Sequence, residues 1–176
     1  MSYWKKLKTT PLLLHPRLTV HEDDVILPSG HKTKYLYFAH QRGAACVIAL
    51  NKEGKILLQK EYSYPPNTWL YHFPGGTIDK EESHDKTAIR ELSEEAGLAG
   101  DLSYIGWFYI NNRRSDMKFH VYMAENLVEH KGTLDPEEVI EQHWFSEEEI
   151  FSLIARGDVT NSSLLAAWSL YTAKKR

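Results

Sequence analysis

Gly76-Thr77-Ile78-Asp79-Lys80-Glu81-Glu82-Ser83-His84-Asp85-Lys86-Thr87-Ala88-Ile89-Arg90-Glu91-Leu92-Ser93-Glu94-Glu95-Ala96-Gly97-Leu98 is the stretch on which the reading turns. Its second half predicts a helix over 83–96. Ser83 is a plausible N-cap, Asp85 sits in the first turn and Gly97 fits the stop. Ala88, Ile89, Leu92 and Ala96 form an apolar stripe. Glu91, Glu94 and Glu95 are three and four residues apart, so they converge on a face distinct from that stripe. Like charges so placed repel by a few tenths of a kcal/mol per pair. Hard divalent cations bind carboxylate oxygens, which makes such a ridge a natural place for one. Arg90, four residues before Glu94, can hold a carboxylate in position. An isolated run of this kind is usually a solvated face. Here it follows Pro74-Gly75-Gly76, where glycines permit close backbone approach and leave carbonyls accessible.

The surrounding chain reads as strands interleaved with a few helices. Ala44–Leu50 is a short apolar run suited to a buried strand, and Lys55–Gln59 reads as its hairpin partner across the Asn51-Lys52-Glu53-Gly54 turn. Further strands are predicted at Trp69–Phe73, Leu102–Ile110, Phe119–Glu125 and Gln142–Phe145. Glu147–Arg156 predicts a helix. A last helix is capped by Asn161 or Ser162, with Leu164, Leu165, Trp168 and Tyr171 on one face. Before residue 41 the pattern differs: Leu18–Asp23, Asp24–Leu27 and Tyr35–Phe38 are extended pieces around a Pro28-Ser29-Gly30 turn. The fold class is therefore mixed, α/β or α+β, with residues 1–40 as a small β segment and 41–176 as the main body.

Composition narrows the function classes. The 176 residues are 42% hydrophobic and 26% charged, as in a globular chain of one domain with a short appendage. The formal net charge of −3 argues against long nucleic acid as the partner. The longest apolar run, Ala44–Leu50, is far below the roughly 20 residues that span a bilayer, and no signal-peptide stretch follows the N-terminus. The chain reads as cytoplasmic, with no membrane partner. Its single cysteine, Cys46, excludes an internal disulfide framework and a multi-cysteine zinc site; it lies in a predicted buried strand.

Gly76, Glu82, Arg90, Glu91, Leu92, Glu94, Glu95, Gly97 and Leu98 stand in the pattern G-x5-E-x7-R-E-U-x-E-E-x-G-U, where U is bulky aliphatic, with no departure. This resembles the Nudix box. The resemblance implies a Nudix αβα sandwich with a mixed central sheet. It also implies metal-dependent hydrolysis of a nucleoside diphosphate linked to another moiety, with Mg2+ or Mn2+ as cofactor. Carried over by position, Glu91 and Glu95 are the chief metal ligands, Glu94 is a further ligand or supports one, and the Gly75 carbonyl is an additional ligand. Arg90 orients the glutamates, and Glu82, Gly76 and Gly97 are structural.

Outside the box the chain is similar to the ADP-ribose and ADP-sugar pyrophosphatases. That resemblance implies a homodimer formed through the N-terminal segment. Asp135-Pro136-Glu137-Glu138 looks like that group's acidic loop. Glu138, with Glu137 second, is the best match for its catalytic glutamate, acting as general base. Arg113 and Arg114 are candidate substrate-binding residues, because arginine suits bidentate phosphate recognition. Three departures stand out: His72 replaces the group's glutamate before the box, Ser63 rather than arginine follows Tyr62, and residues 109–116 contain no proline. The leading substrate is an ADP-ribose-like compound or nucleotide sugar; the departures leave open another nucleoside diphosphate sugar, a nucleotide-like alcohol diphosphate or something unrelated. A nucleotide-sensing domain without turnover is the alternative, disfavoured by the complete set of box glutamates. A prenyl-diphosphate isomerase would need a nucleophilic cysteine, which buried Cys46 does not suit.

Overall fold

A computed structural model of the chain describes residues 3–39, 42–130 and 141–175. Two compact units are distinguished: the residues before Arg42 with Tyr109–Met117, and Arg42–Phe108 with the residues from Lys118 onward.

The first unit is built on an antiparallel sheet in the order β1 (Lys5–His15), β2 (Leu18–Ile26), β3 (Lys32–Ala39). The two extended pieces read before Leu27 are one continuous strand. β1 gave no sequence signal, because lysines and Pro11 interrupt its alternation. The structure accommodates it with register shifts at Lys6/Lys8 and Pro11/Leu13. The segment at 109–117 joins this unit: the Arg114 carbonyl accepts from the Phe38 N–H at 2.7 Å, and Phe38 bridges Ser115.

The second unit contains two sheets. One has the order β7 (Gly75–Thr77), β4 (Ala44–Ala49), β9 (Lys118–Glu129), β8 (Leu98–Tyr109). β4 runs antiparallel to β7 and parallel to β9, so this sheet is mixed. The other has the order β10 (Glu141–Phe145), β5 (Ile56–Ser63), β6 (Thr68–His72) and is antiparallel. Three helices complete it: α1 (His84–Ala96), α2 (Glu147–Arg156) and α3 (Ser162–Lys174). Among the described residues, no helix is long and apolar enough to cross a membrane.

The expected hairpin of Ala44–Leu50 with Lys55–Gln59 is corrected here. Its turn forms, with Asn51 Oδ1 accepting from the Glu53 and Lys55 N–H groups and Gly54 at φ 75°. Beyond the single bridge Leu50–Ile56, however, the strands part into different sheets. β4 already has β7 and β9 on its two edges, and β5 has β10 and β6, so neither has an edge left for the other.

Alternation along β4 explains the layers. Ala45, Val47 and Ala49 pack with Leu57, Tyr122 and Ala124 against Ala88 and Leu92 of α1. Cys46 and Ile48, pointing the other way, pack with Ile56, Leu58 and Val121 against Ile150, Leu153, Leu164, Trp168 and Tyr171 of α2 and α3. The result is helix, sheet, helix, the αβα sandwich expected. α2 begins at a capping box: Ser146 Oγ accepts from the Glu149 N–H at 3.2 Å, and Glu149 Oε2 accepts from the Ser146 N–H at 2.7 Å. Asn161 caps α3 through Oδ1, which accepts from the Ser163 and Leu164 N–H groups.

The buried residues of α1 are Thr87, Ala88, Glu91 and Leu92, whereas Ile89 is 54% exposed. The expected stripe is thus rotated: Ile89 leaves it, and Glu91 is buried on the inward side. Leu92→Ala should cost about 2–5 kcal/mol by cavity formation, and Ile89→Ala within about 0.5 kcal/mol. Urea unfolding of the two variants checks the rotation.

Candidate active site

α1 is fixed at both ends by its backbone. At the start, the Thr87 N–H donates to the Ser83 carbonyl at 3.0 Å, and the Ser83 side chain makes no cap bond. At the end, Gly97 turns left-handed at φ 65° and donates back to the Leu92 and Ser93 carbonyls. Ala88 and Leu92 press the helix onto β4, and β7 runs alongside.

This placement brings Gly75 and Gly76 against the glutamates, and each glycine is needed for a different reason. A Cβ on Gly76 would lie 2.8 Å from the Glu91 carboxyl carbon. A Cβ on Gly75 would lie 2.6 Å from Cys46 Cα in the neighbouring strand. Neither has positive φ, so the requirement is space rather than backbone conformation.

Arg90 is the hub. Its Nη1 donates to Glu91 Oε1 at 2.8 Å and to Glu94 Oε2 at 3.0 Å. Its Nε donates to Glu82 Oε1 at 3.2 Å, and Nη2 donates to Glu82 Oε2 at 3.1 Å and to the Thr77 carbonyl at 3.3 Å. Glu82 also accepts from Thr87 Oγ1 at 2.7 Å and the Asp79 N–H at 3.3 Å. The Arg90 guanidinium holds the Glu82 carboxyl below its usual range, and the same contacts raise the Arg90 pKa. Glu95 has a different donor: its Oε2 accepts from the Gly75 N–H at 2.8 Å.

The structure therefore brings Gly75, Gly76, Glu82, Arg90, Glu91, Glu94 and Glu95 together around one end of β7. Arg113 and Arg114 lie in the other unit. There Arg114 Nη1 donates to the Leu36 carbonyl at 2.9 Å and its guanidinium lies over the Tyr35 ring, while the Arg113 carbonyl accepts from the Tyr35 hydroxyl. Glu137 and Glu138 lie outside the described residues. Cys46 is buried, and burial pushes its thiol pKa far up. Two residues had no sequence signal: Gln59 and Gln142, cross-strand neighbours on β5 and β10. Both donate to the Glu95 carbonyl, at 3.0 and 2.8 Å. Only the pairing of these strands reveals them.

No group of three or more potential ligands already converges as a metal cage among the described residues. The donors at hand are all oxygen, three carboxylates and a backbone carbonyl, which is the chemistry Mg2+ or Mn2+ takes, the former keeping several waters. The site can thus gather a hard cation beside glutamates whose orientation is fixed by Arg90 and Gly75.

The chain has counterparts among known proteins. The NUDIX domain model matches residues 39–168. An ADP-ribose pyrophosphatase of Bacillus subtilis is 34% identical over 145 residues, 81% of this chain and 78% of that protein. A CMP-5'-(N-acetyl-N-hydroxy-3-aminopropyl)phosphonate hydrolase of Streptomyces rubellomurinus is 27% identical over 164 residues, 90% of this chain and 79% of that one. The crystal structure of an ADP compounds hydrolase shares the fold, with a TM-score of 0.89 over 98% of this chain and 94% of that chain at 20% identity.

Gly76→Ala should destabilise the protein by roughly 1–3 kcal/mol through overpacking. Combining it with Glu91→Ala should recover part of that loss, because the two changes share one contact; a double-mutant unfolding cycle checks it. The depressed Glu82 pKa gives a second expectation. Its contribution is complete above the ordinary value of 4.5 and is lost as pH falls through the lower folded value. Glu82→Gln should flatten the acid limb of a stability–pH curve.

Proposed function

The chain belongs to the NUDIX family and is a hydrolase of that family; on that premise we propose how its box residues act and on what. The proposed substrate is an ADP-ribose-like compound or another nucleotide sugar, cleaved at the diphosphate into two phosphomonoesters. The observation that carries this reading is the complete box, gathered around Arg90 with Glu91 and Glu95 held by separate donors.

Glu91 and Glu95 are proposed to hold Mg2+ or Mn2+, with Glu94 and the Gly75 carbonyl assisting. Such a cation, when bound, neutralises phosphoryl oxygens and lowers the pKa of water. Arg90 keeps Glu91 and Glu94 from repelling one another, and Glu82, fixed by Thr87 and the Asp79 N–H, keeps Arg90 in place. Glu138, or Glu137 beside it, is proposed to accept the proton of the attacking water. Arg113 and Arg114 are proposed to contact the far phosphate or the ribose.

We also propose a homodimer formed through residues 1–40. The first unit leaves Trp4, Leu7, Leu12, Leu13, Leu14 and Leu36 exposed, an apolar load that a second copy would cover. A cytoplasmic location is proposed as well, which a lone buried cysteine suits.

Incubation with a panel of nucleoside diphosphate derivatives and Mg2+ or Mn2+, with products read by mass, tests the activity. Two phosphomonoesters are expected, and no cleavage of any member would reject the reading. Glu95→Gln should lower kcat by roughly 10^2–10^4, the scale of losing a positioned catalytic group, without loss of folding. Undiminished turnover would contradict its assignment. Light scattering should give a dimer mass, and Leu12→Lys with Leu14→Lys should give the monomer.

A further inference from the structure

His72, one of the departures from the resembled pattern, is not among the partners of Arg90. In the β5–β6 register Gln59 faces His72 and Glu61 faces Leu70. Directly opposed residues share a face of the sheet. Gln59 closes this face toward Glu95. Beyond it, Glu61, Ser63, His72, Gly75, Asn161 and Ser163 line an open cleft of about 210 Å³. Gly75 links the cleft to the catalytic glutamates, since its N–H is bonded to Glu95.

The hydrogen-bonding character of the cleft follows from tautomer and valence. His72 Nδ1 lies 3.1 Å from the Phe73 carbonyl oxygen. A carbonyl only accepts, so Nδ1 carries the proton and Nε2 presents a bare lone pair. Burial lowers the His72 pKa, which favours this neutral form. Nε2 is buried and has no hydrogen-bond partner among the described residues. The Glu61 carboxylate stands 3.6 Å away, but it is a second acceptor and cannot satisfy the first. Across the cleft, Ser163 Oγ donates to Asn161 Oδ1 at 2.6 Å, so its hydroxyl proton is committed. The Gly75 N–H is committed to Glu95. The Asn161 amide NH2 and the Ser63 hydroxyl are the donors of the lining, and its acceptors include the Glu61 carboxylate and the orphaned His72 nitrogen.

We propose that this cleft receives the hydroxyl-bearing moiety beyond the diphosphate, with its hydroxyls donating to His72 Nε2 and the Glu61 carboxylate. The inference rests on the hydrolase reading above and concerns which side chains of that site recognise the moiety. His72 and Glu61 are then specificity-determining residues. A site built to accept from hydroxyls rejects analogues that lack them, because its acceptors are left unpaired.

The test uses the full chain with Mg2+ and three phosphomonoesters, which contain no diphosphate to cleave: D-ribose 5-phosphate, ethyl phosphate and 2-aminoethyl phosphate. Affinity is measured by calorimetry, and the His72 ring nitrogens are followed by NMR in 15N-histidine-labelled protein. Ribose 5-phosphate should bind at least about tenfold more tightly than ethyl phosphate, as expected for lost hydrogen bonds. It should also move the Nε2 resonance from its bare-acceptor position. His72→Phe should erase the preference, and His72→Gln, which keeps an acceptor, should retain part of it. Equal affinities, an unmoved Nε2, tighter binding of 2-aminoethyl phosphate or no saturable binding of any probe would overturn the proposal. A protein that shows the preference but cleaves no diphosphate loses the hydrolase reading and keeps the cleft. One that cleaves diphosphates without the preference keeps the hydrolase reading and loses the cleft.

Discussion

The site depends on one guanidinium. Arg90 stands where Glu82, Glu91 and Glu94 converge and donates to all three, and to the Thr77 carbonyl besides. Its side chain is partly exposed, which weakens each Coulomb term. Glu91, however, is buried, and a buried carboxylate without its partner is costly. The constraint spreads from there. Glu91 can turn inward only because Gly76 has no side chain, and Gly76 is in reach only because β7 lies along α1. β7 lies there because Gly75 lets its backbone close onto β4. A lysine could not replace Arg90, since a point charge lacks the planar fork that reaches separate carboxylates.

Much of this was legible in the sequence where the signal is local. α2 runs from Glu147 to Arg156 as read, because a capping box and a left-handed Gly157 mark both ends. Asn161 caps α3 as its side chain suggests. What failed depended on partners distant in sequence. β4 and β5 carry the marks of a hairpin, yet each is claimed on both edges by other strands. β1 has no alternation to find. Helical spacing put Ile89 in the buried stripe and Glu91 outside it. The opposite holds, since a glycine fifteen residues before Glu91 makes room for its carboxylate while nothing encloses Ile89.

The same division applies to the site. The box residues are recognisable from spacing alone, because they occupy one helix and the strand before it. Gln59, Gln142, Glu61 and His72 are not, because strand pairing assembles them. These residues set what surrounds Glu95: two amides fix its carbonyl, Gly75 fixes its carboxylate, and the cleft lined by Glu61 and His72 begins beside it.

The central claim is that Glu91 and Glu95, oriented by Arg90 and Gly75, form a cation site. Its most direct measurement is Mn2+ binding followed by electron paramagnetic resonance, independent of any substrate. The account predicts that the protein depletes the free Mn2+ signal saturably, and that Glu91→Gln and Glu95→Gln each restore it while the circular dichroism spectrum is unchanged. Wild-type protein that leaves the Mn2+ signal untouched, or folded variants that bind as well as wild type, would contradict it.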